Sequence, residues 1–192
     1  MRPSPARVAA RWLAGAAKGP SDLPPDTFVA VETASDMIRV FFSDADGDQD
    51  ESPLRGEVEV YAPASDTGPC LGAFIVGRAF VESGWGPLLY DVAMEVAGKR
   101  GLTPDRHKVS PDAERVWRYY QTSRSDVTIK QLDFAPKGPE HLTPTPKDDC
   151  EQKARPVQTE EDLLGSPLTK VYYAKGKPTL RALDRAKLLV YV

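Results

Sequence analysis

Gly84 and Gly86 mark the stretch of this chain whose residue types are best suited to chemistry. The apolar residues Ala73-Phe74-Ile75-Val76 and Ala79-Phe80-Val81 lead into Glu82-Ser83-Gly84-Trp85-Gly86, and Pro87 then opens an expected helix. A strand that feeds a Gly-x-Gly turn and a helix N-terminus is suited to holding anions. Glycine lets the backbone come close, the first helical N–H groups have no intrahelical partner, and the helix dipole favours negative charge. The turn is therefore expected to hold a phosphorylated cofactor. Two common phosphate loops are excluded by residue identity. No Lys-Ser/Thr pair follows the glycines, and Leu89 stands where a Gly-x-Gly-x-x-Gly fingerprint needs its third glycine.

Groups able to move protons surround this turn. Glu82 lies beside it, and Glu59 lies on a segment that alternates Val58, Val60, Ala62 against Glu57, Glu59, Tyr61. Tyr119 and Tyr120 lie on a helix expected from Ser110 onward. A carboxylate can serve as general base and a tyrosine as general acid. Each also has a structural reading: Glu82 caps the turn, Glu59 faces solvent, and Tyr120 shares a core face with Ala113, Val116 and Trp117. His107 sits in a polar loop between Arg106 and Lys108 and reads as a surface residue. With His107 and His141 the only histidines, no metal site is expected. The acidic run Asp44–Glu51 fails as a calcium loop, because Gln49 occupies the glycine position and Arg55 the bidentate glutamate position. It reads as a solvated hairpin loop. Cys70 and Cys150 read as two separated thiols in a reducing compartment, with a disulfide the alternative.

The elements that must position these groups follow from periodicity. Arg7–Lys18 suggests a short helix stopped by Gly19-Pro20. Strands are expected at Phe28–Glu32, Met37–Ser43 and Gly56–Ala62. After the glycine turn, Leu88, Leu89, Val92, Ala93, Val96 and Ala97 mark one helical face that ends at Lys99-Arg100-Gly101. Ser110 is a suitable N-cap and Pro111 a suitable first residue for the second helix. Between the two helices, Leu102–Val109 is a poor strand. Strands at Val127–Leu132, Lys170–Ala174 and Leu188–Val192, a helical turn at Glu160–Leu164 and a helix at Pro178–Ala186 complete the chain. The pattern is an α/β layered domain. We divide it into an N-terminal helical arm (1–20) and a domain (26–192) that contains a long Pro-rich loop (135–167).

Ser83-Gly84-Trp85-Gly86-Pro87-Leu88-Leu89-Tyr90-Asp91-Val92-Ala93 resembles the acyl-CoA-binding motif of the GNAT N-acyltransferase superfamily, usually Arg-Gly-x-Gly before an apolar helix. Ser110-x-x-Ala113-x-x-Val116-Trp117-Arg118-Tyr119-Tyr120 resembles that superfamily's next motif, a helix along the thiol end of the cofactor. The combination is also similar to divergent GNAT-like proteins of bacteriophages. The resemblance covers about residues 73–125. It implies a mixed, mostly antiparallel sheet flanked by helices, with the arm as an extra N-terminal helix. It also implies acetyl-CoA or another acyl-CoA as cofactor, held by Phe80, Val81, Ser83, Gly84, Trp85, Gly86 and Leu88. The implied reaction acylates an amine on a small molecule, a protein or a modified nucleobase, with Glu82 or Glu59 as base and Tyr120, before Tyr119, as acid. Ser83 replaces the motif arginine, and in the strictest register Trp117 occupies the position of the acid tyrosine. A non-catalytic GNAT-like binding module, virion-associated or host-factor-binding, is the alternative that these departures favour.

Composition sets outer limits. The 25 basic and 28 acidic residues leave a net charge of -3, which argues against a broad nucleic-acid-binding face. No apolar run approaches a membrane span, and no secretory leader is evident. A cytoplasmic protein is expected, in the host cytoplasm if phage-encoded, with the N-terminal helix open to a protein partner.

Overall fold

The computed structural model describes residues 17–134, 138, 141–153 and 159–192. The expected helix at Arg7–Lys18 lies outside the described residues except for its last two positions. Eight strands form one mixed sheet: β1 (Phe28–Thr33), β2 (Met37–Ser43), β3 (Gly56–Tyr61), β4 (Phe74–Val81), β5 (Leu102–Thr103), β6 (Val127–Gln131), β7 (Lys170–Ala174) and β8 (Leu189–Tyr191). Their order is β6-β7-β5-β4-β3-β2-β1-β8. Strands β1 to β4 form an antiparallel meander. The β4–β5 and β1–β8 pairs are parallel, and β7 is antiparallel to both β5 and β6. The helices are α1 (Gly86–Ala97), α2 (Pro111–Ser123), α3 (Glu160–Gly165) and α4 (Pro178–Ala186). The chain is thus α/β with a mixed sheet and four described helices.

The meander forms because its strands alternate. Val58 and Val60 face the core, while Glu57 and Glu59 pair across to Arg39 and Arg78 on the other face. The acidic loop between β2 and β3 folds on its own carboxylates: Asp44 Oδ1 accepts the N–H groups of Asp46 (2.9 Å) and Asp48 (2.8 Å).

Helix α1 lays Leu88, Leu89, Val92, Ala93 and Met94 on β2 and β3 and forms the centre of the main core. It also terminates its neighbour. Helix α4 has no side-chain cap of its own, and buried Glu95 of α1 accepts the N–H groups of Thr179 (2.9 Å) and Leu180 (2.8 Å). Helix α2 is capped as expected, with Ser110 Oγ accepting the Ala113 N–H at 3.2 Å. Its Trp117 packs against Tyr172 (4.9 Å between centroids) and edge-on to Tyr90 (5.2 Å).

The two cysteines are joined, which corrects the reading of separate thiols. Cys70 and Cys150 form a disulfide with Cα atoms 4.5 Å apart across 80 residues of sequence. Long-range backbone bonds bring them together. The Cys70 N–H donates to Asp149 O, and the Cys150 N–H to Asp133 O, both at 2.9 Å. Around this tether lies a second, smaller core of Ala73, Leu132, Phe134, Leu163 and Val171. Among the described residues no helix is long and apolar enough to cross a membrane.

Candidate functional site

The site begins where two parallel strands part. Strand β4 pairs with β5 only at Phe74↔Leu102 and Ile75↔Thr103, then runs on to Val81 paired with β3 alone. Two residues cause the divergence. Pro104 has no N–H to extend a ladder. Arg106, almost fully buried, holds the departing chain by donating to the Pro104 carbonyl (2.8 and 2.9 Å), Thr103 Oγ1 (3.0 Å) and the Leu168 carbonyl (3.0 Å). Burial lowers its pKa to about 10, so it stays charged at neutral pH. A bulge adds to the effect. Glu59 faces Arg78 and Val60 faces Val76, which leaves Gly77 as the extra residue of β4. Residues Gly77, Arg78, Ala79 and Phe80 are all exposed, although β4 is an interior strand of the sheet.

The gap between β4 and α2 is a cleft of two joined hollows. The outer one, about 510 Å³, lies between Phe80–Gly84 and the first turns of α1 and α2. The inner one, about 300 Å³, reaches Val76, Gly77, Asp105 and Lys108. Ala79, Tyr90, Ser110 and Ala113 belong to both and form the waist.

At the outer end the glycine turn feeds α1. Gly84 has φ +86°, a conformation that favours glycine. The Trp85 N–H bonds to Glu82 O, and the first helical bond is Leu89 N–H to Trp85 O. The N–H groups of Ser83, Gly84, Gly86 and Leu88 make no hydrogen bond to any described residue. A cation stands over this end, because Arg115 of α2 lines the outer hollow, half exposed and ion-paired with Asp112. The chain entering from the N-terminus also meets the turn: the Lys18 N–H bonds to Gly84 O at 3.0 Å, and its ammonium lies 4.8 Å from the Trp85 ring centroid.

The structure brings Phe80, Val81, Glu82, Ser83, Gly84 and Gly86 together on the outer wall. Phe80 is 43% exposed and carries the Arg78 guanidinium 5.2 Å from its ring centroid. Trp85 and Leu88 do not line this wall; both side chains are buried in the main core, and Trp85 meets Phe42 edge-on. Glu82 braces the turn while lining the hollow; its Oε1 accepts the Arg55 N–H at 2.9 Å. Glu59 stands apart from the cleft wall and accepts the Tyr61 hydroxyl at 2.6 Å.

Tyr119 and Tyr120 are placed in the core, away from the cleft lining. The Tyr120 side chain is fully buried, and its hydroxyl donates to Asp91 Oδ1 at 2.7 Å, with the Pro87 carbonyl at 3.1 Å. Burial, reinforced by Asp91, pushes this hydroxyl well above the ordinary tyrosine range. Arg124 completes the group with two bonds of 3.0 Å to Asp91. Burial pushes the Asp91 carboxyl up to about 6, against the pull of Arg124 and of the Tyr120 hydroxyl.

Two cleft residues were missed in the sequence. Tyr90 lines both hollows, and its hydroxyl bonds to no described residue. Burial raises its pKa, so it keeps its proton at neutral pH and can donate a hydrogen bond. It lies one helical turn beyond Gly86, a spacing that places it on the face above the glycine turn. Arg115 gave no signal, because an exposed arginine near a helix start is ordinary. Among the described residues, the one group of side chains with metal-ligand proximity is Asp133, His141 and Asp149, outside this cleft.

Comparison with protein-family models, curated proteins and solved structures finds no match.

Proposed function

We propose that the cleft binds an acyl-coenzyme A and that the protein transfers the acyl group to an amine, as the resemblance to the GNAT superfamily implies. The observation that carries this reading is the separation of β4 from β5 beside the glycine turn. It leaves the outer edge of β4 without a strand partner and leads along that edge to free N–H groups at the α1 N-terminus. An elongated ligand with an anionic end suits this shape. The donors fit a pyrophosphate: N–H groups of Ser83, Gly84 and Gly86, with Arg115 supplying the positive charge that Ser83 does not. Gly86 has room for close approach, since a Cβ there would meet only Val116, at 3.5 Å.

Acyl-CoA supplies an activated thioester. The residues of the chain hold it and manage protons. Unpaired backbone N–H groups along the free edge of β4 can donate to a carbonyl in the manner of an oxyanion site. Tyr90, at the waist, replaces Tyr120 as the tyrosine able to donate toward the leaving sulfur. Glu82 at the outer end and Asp105 at the inner end are the carboxylates available to take a proton from the amine. The acceptor classes remain a small-molecule amine, a protein amine or a modified nucleobase.

The second reading is a GNAT-like module that binds without catalysis. One observation favours it: Trp117 is in the core and Tyr120 is tied to Asp91, so the helix that usually carries the acid offers none in place. Calorimetric titration with acetyl-CoA, and separately with CoA, tests the proposal. Binding of both at roughly micromolar affinity, followed by turnover with amine acceptors, supports acyl transfer. Binding without turnover across a broad amine panel supports the module. No binding of either ligand overturns the site.

A further inference from the structure

A second group of side chains, separate from the cleft, converges beside the disulfide. Asp133 follows β6 with its side chain 1% exposed. Its Oδ2 accepts the Thr143 N–H at 2.9 Å and lies 3.3 Å from His141 Nδ1. Asp149 Oδ1 lies 3.5 Å from the same nitrogen. One donor atom from each of the three residues falls within 4.8 Å of the others. Asp133 Oδ1, His141 Nδ1, Asp149 Oδ1 and the neighbouring Asp148 Oδ1 are all buried without a hydrogen-bond partner.

That arrangement lacks a cation. No lysine or arginine among the described residues pairs with Asp133, Asp148 or Asp149. Carboxylates buried without a counter-charge cost several kcal/mol each. His141 Nδ1 stands between two carboxylates at similar distances, and neither contact is a hydrogen bond. The two nitrogen–oxygen separations, 3.3 and 3.5 Å, are close to those another occupant would need. Ligands about 2.0–2.1 Å from a tetrahedral ion stand about 3.3–3.4 Å from one another.

We propose that Asp133, His141 and Asp149 form a binding site for a divalent first-row transition ion, with zinc the best fit, completed by water. One imidazole nitrogen with carboxylate oxygens suits zinc and its neighbours better than calcium or magnesium, which favour oxygen donors. The ion fastens segment 141–149 to the end of β6. The residue after Asp149 is Cys150 of the disulfide, so the same loop is held twice. Neither clamp shows in the sequence, where the ligands fall 8 residues apart and then 8 again without a recognisable spacing motif.

The test uses the full chain, oxidised and stripped with a chelator, so that no free thiol competes for metal. Zinc is added in a direct titration, bound metal is counted by mass spectrometry, and thermal unfolding is followed with and without zinc. The expected result is one equivalent of zinc, a melting temperature raised by several degrees, and at least about tenfold weaker binding in His141→Gln and Asp149→Asn. Failure of the wild-type protein to take up zinc at roughly 100 µM overturns the proposal. So does uptake that neither substitution weakens. The wild-type readouts need no substitution, so they decide the matter even if a variant misfolds.

Discussion

The glycine-turn cleft and the Asp133–His141–Asp149 cluster both leave polar atoms without protein partners, but in opposite settings. In the cleft the free N–H groups belong to Ser83, Gly84 and Gly86, residues open or half open to solvent. In the cluster the free atoms are sealed. Water can serve the first set, so the cleft is stable without a ligand. Among the described residues nothing serves the second set. A ligand of the cleft would thus bind separably from folding, whereas an ion at the cluster would be linked to it.

Five substitutions test that contrast, beginning with the largest expected effect. Cys150→Ser should cost about 2–5 kcal/mol in denaturant unfolding, since the bond closes a long loop. It should weaken zinc uptake as well and leave coenzyme A binding unchanged; an equal loss at both sites would mean that the two regions form one cooperative unit. Next, Gly86→Asp should weaken coenzyme A binding by about 1.4 kcal/mol or more, roughly tenfold, without moving the melting temperature. Gly84→Asp is less informative, because its φ of +86° adds backbone strain to the charge.

A pair of tyrosines then separates site from core. Tyr120→Phe should lower stability by about 1 kcal/mol, since it removes a donor from buried Asp91, and should leave acetyl-CoA affinity intact. Tyr90→Phe should do the reverse: steady-state assays should show lower turnover, with the unfolding midpoint unchanged. The opposite result would restore Tyr120 to the site.

The last test is a pH slope. Burial raises folded Asp91 to about 6, against 3.8 for an ordinary aspartate. Between about pH 4 and 6 the folded protein therefore holds a proton that the unfolded chain has released. Through this group, stability is greatest at low pH and is lost as pH rises through 6. Asp91→Asn should flatten that dependence in urea unfolding measured at about pH 5 and 7.

Much of the fold was legible because its signals are local. The alternation of Val58 and Val60, the Ser110-Pro111 cap and the Leu88–Ala97 stripe each declare an element within a few residues. The glycine turn was legible for the same reason, and it stands where the spacing put it, between β4 and α1. Glu59, Tyr119 and Tyr120 do not line the cleft, and Tyr120 shows why. Its helix was correctly read, but helical periodicity places it on an apolar face without naming what that face meets. Asp91, 29 residues away, supplies the partner that commits its hydroxyl.

The sequence alone determined the order of strands and helices, the position of the glycine turn and the caps that start α2. Period-2 and period-3.6 patterns and turn residues act through neighbours in the chain. Only the tertiary structure decided that Cys70 reaches Cys150 across 80 residues, that β4 leaves β5 after two pairs, and that Asp133, His141 and Asp149 converge. Each of these depends on backbone paths meeting in space. No spacing along the chain encodes which distant groups will share a buried volume, and there an unpaired charge or a new bond has its largest energetic consequence.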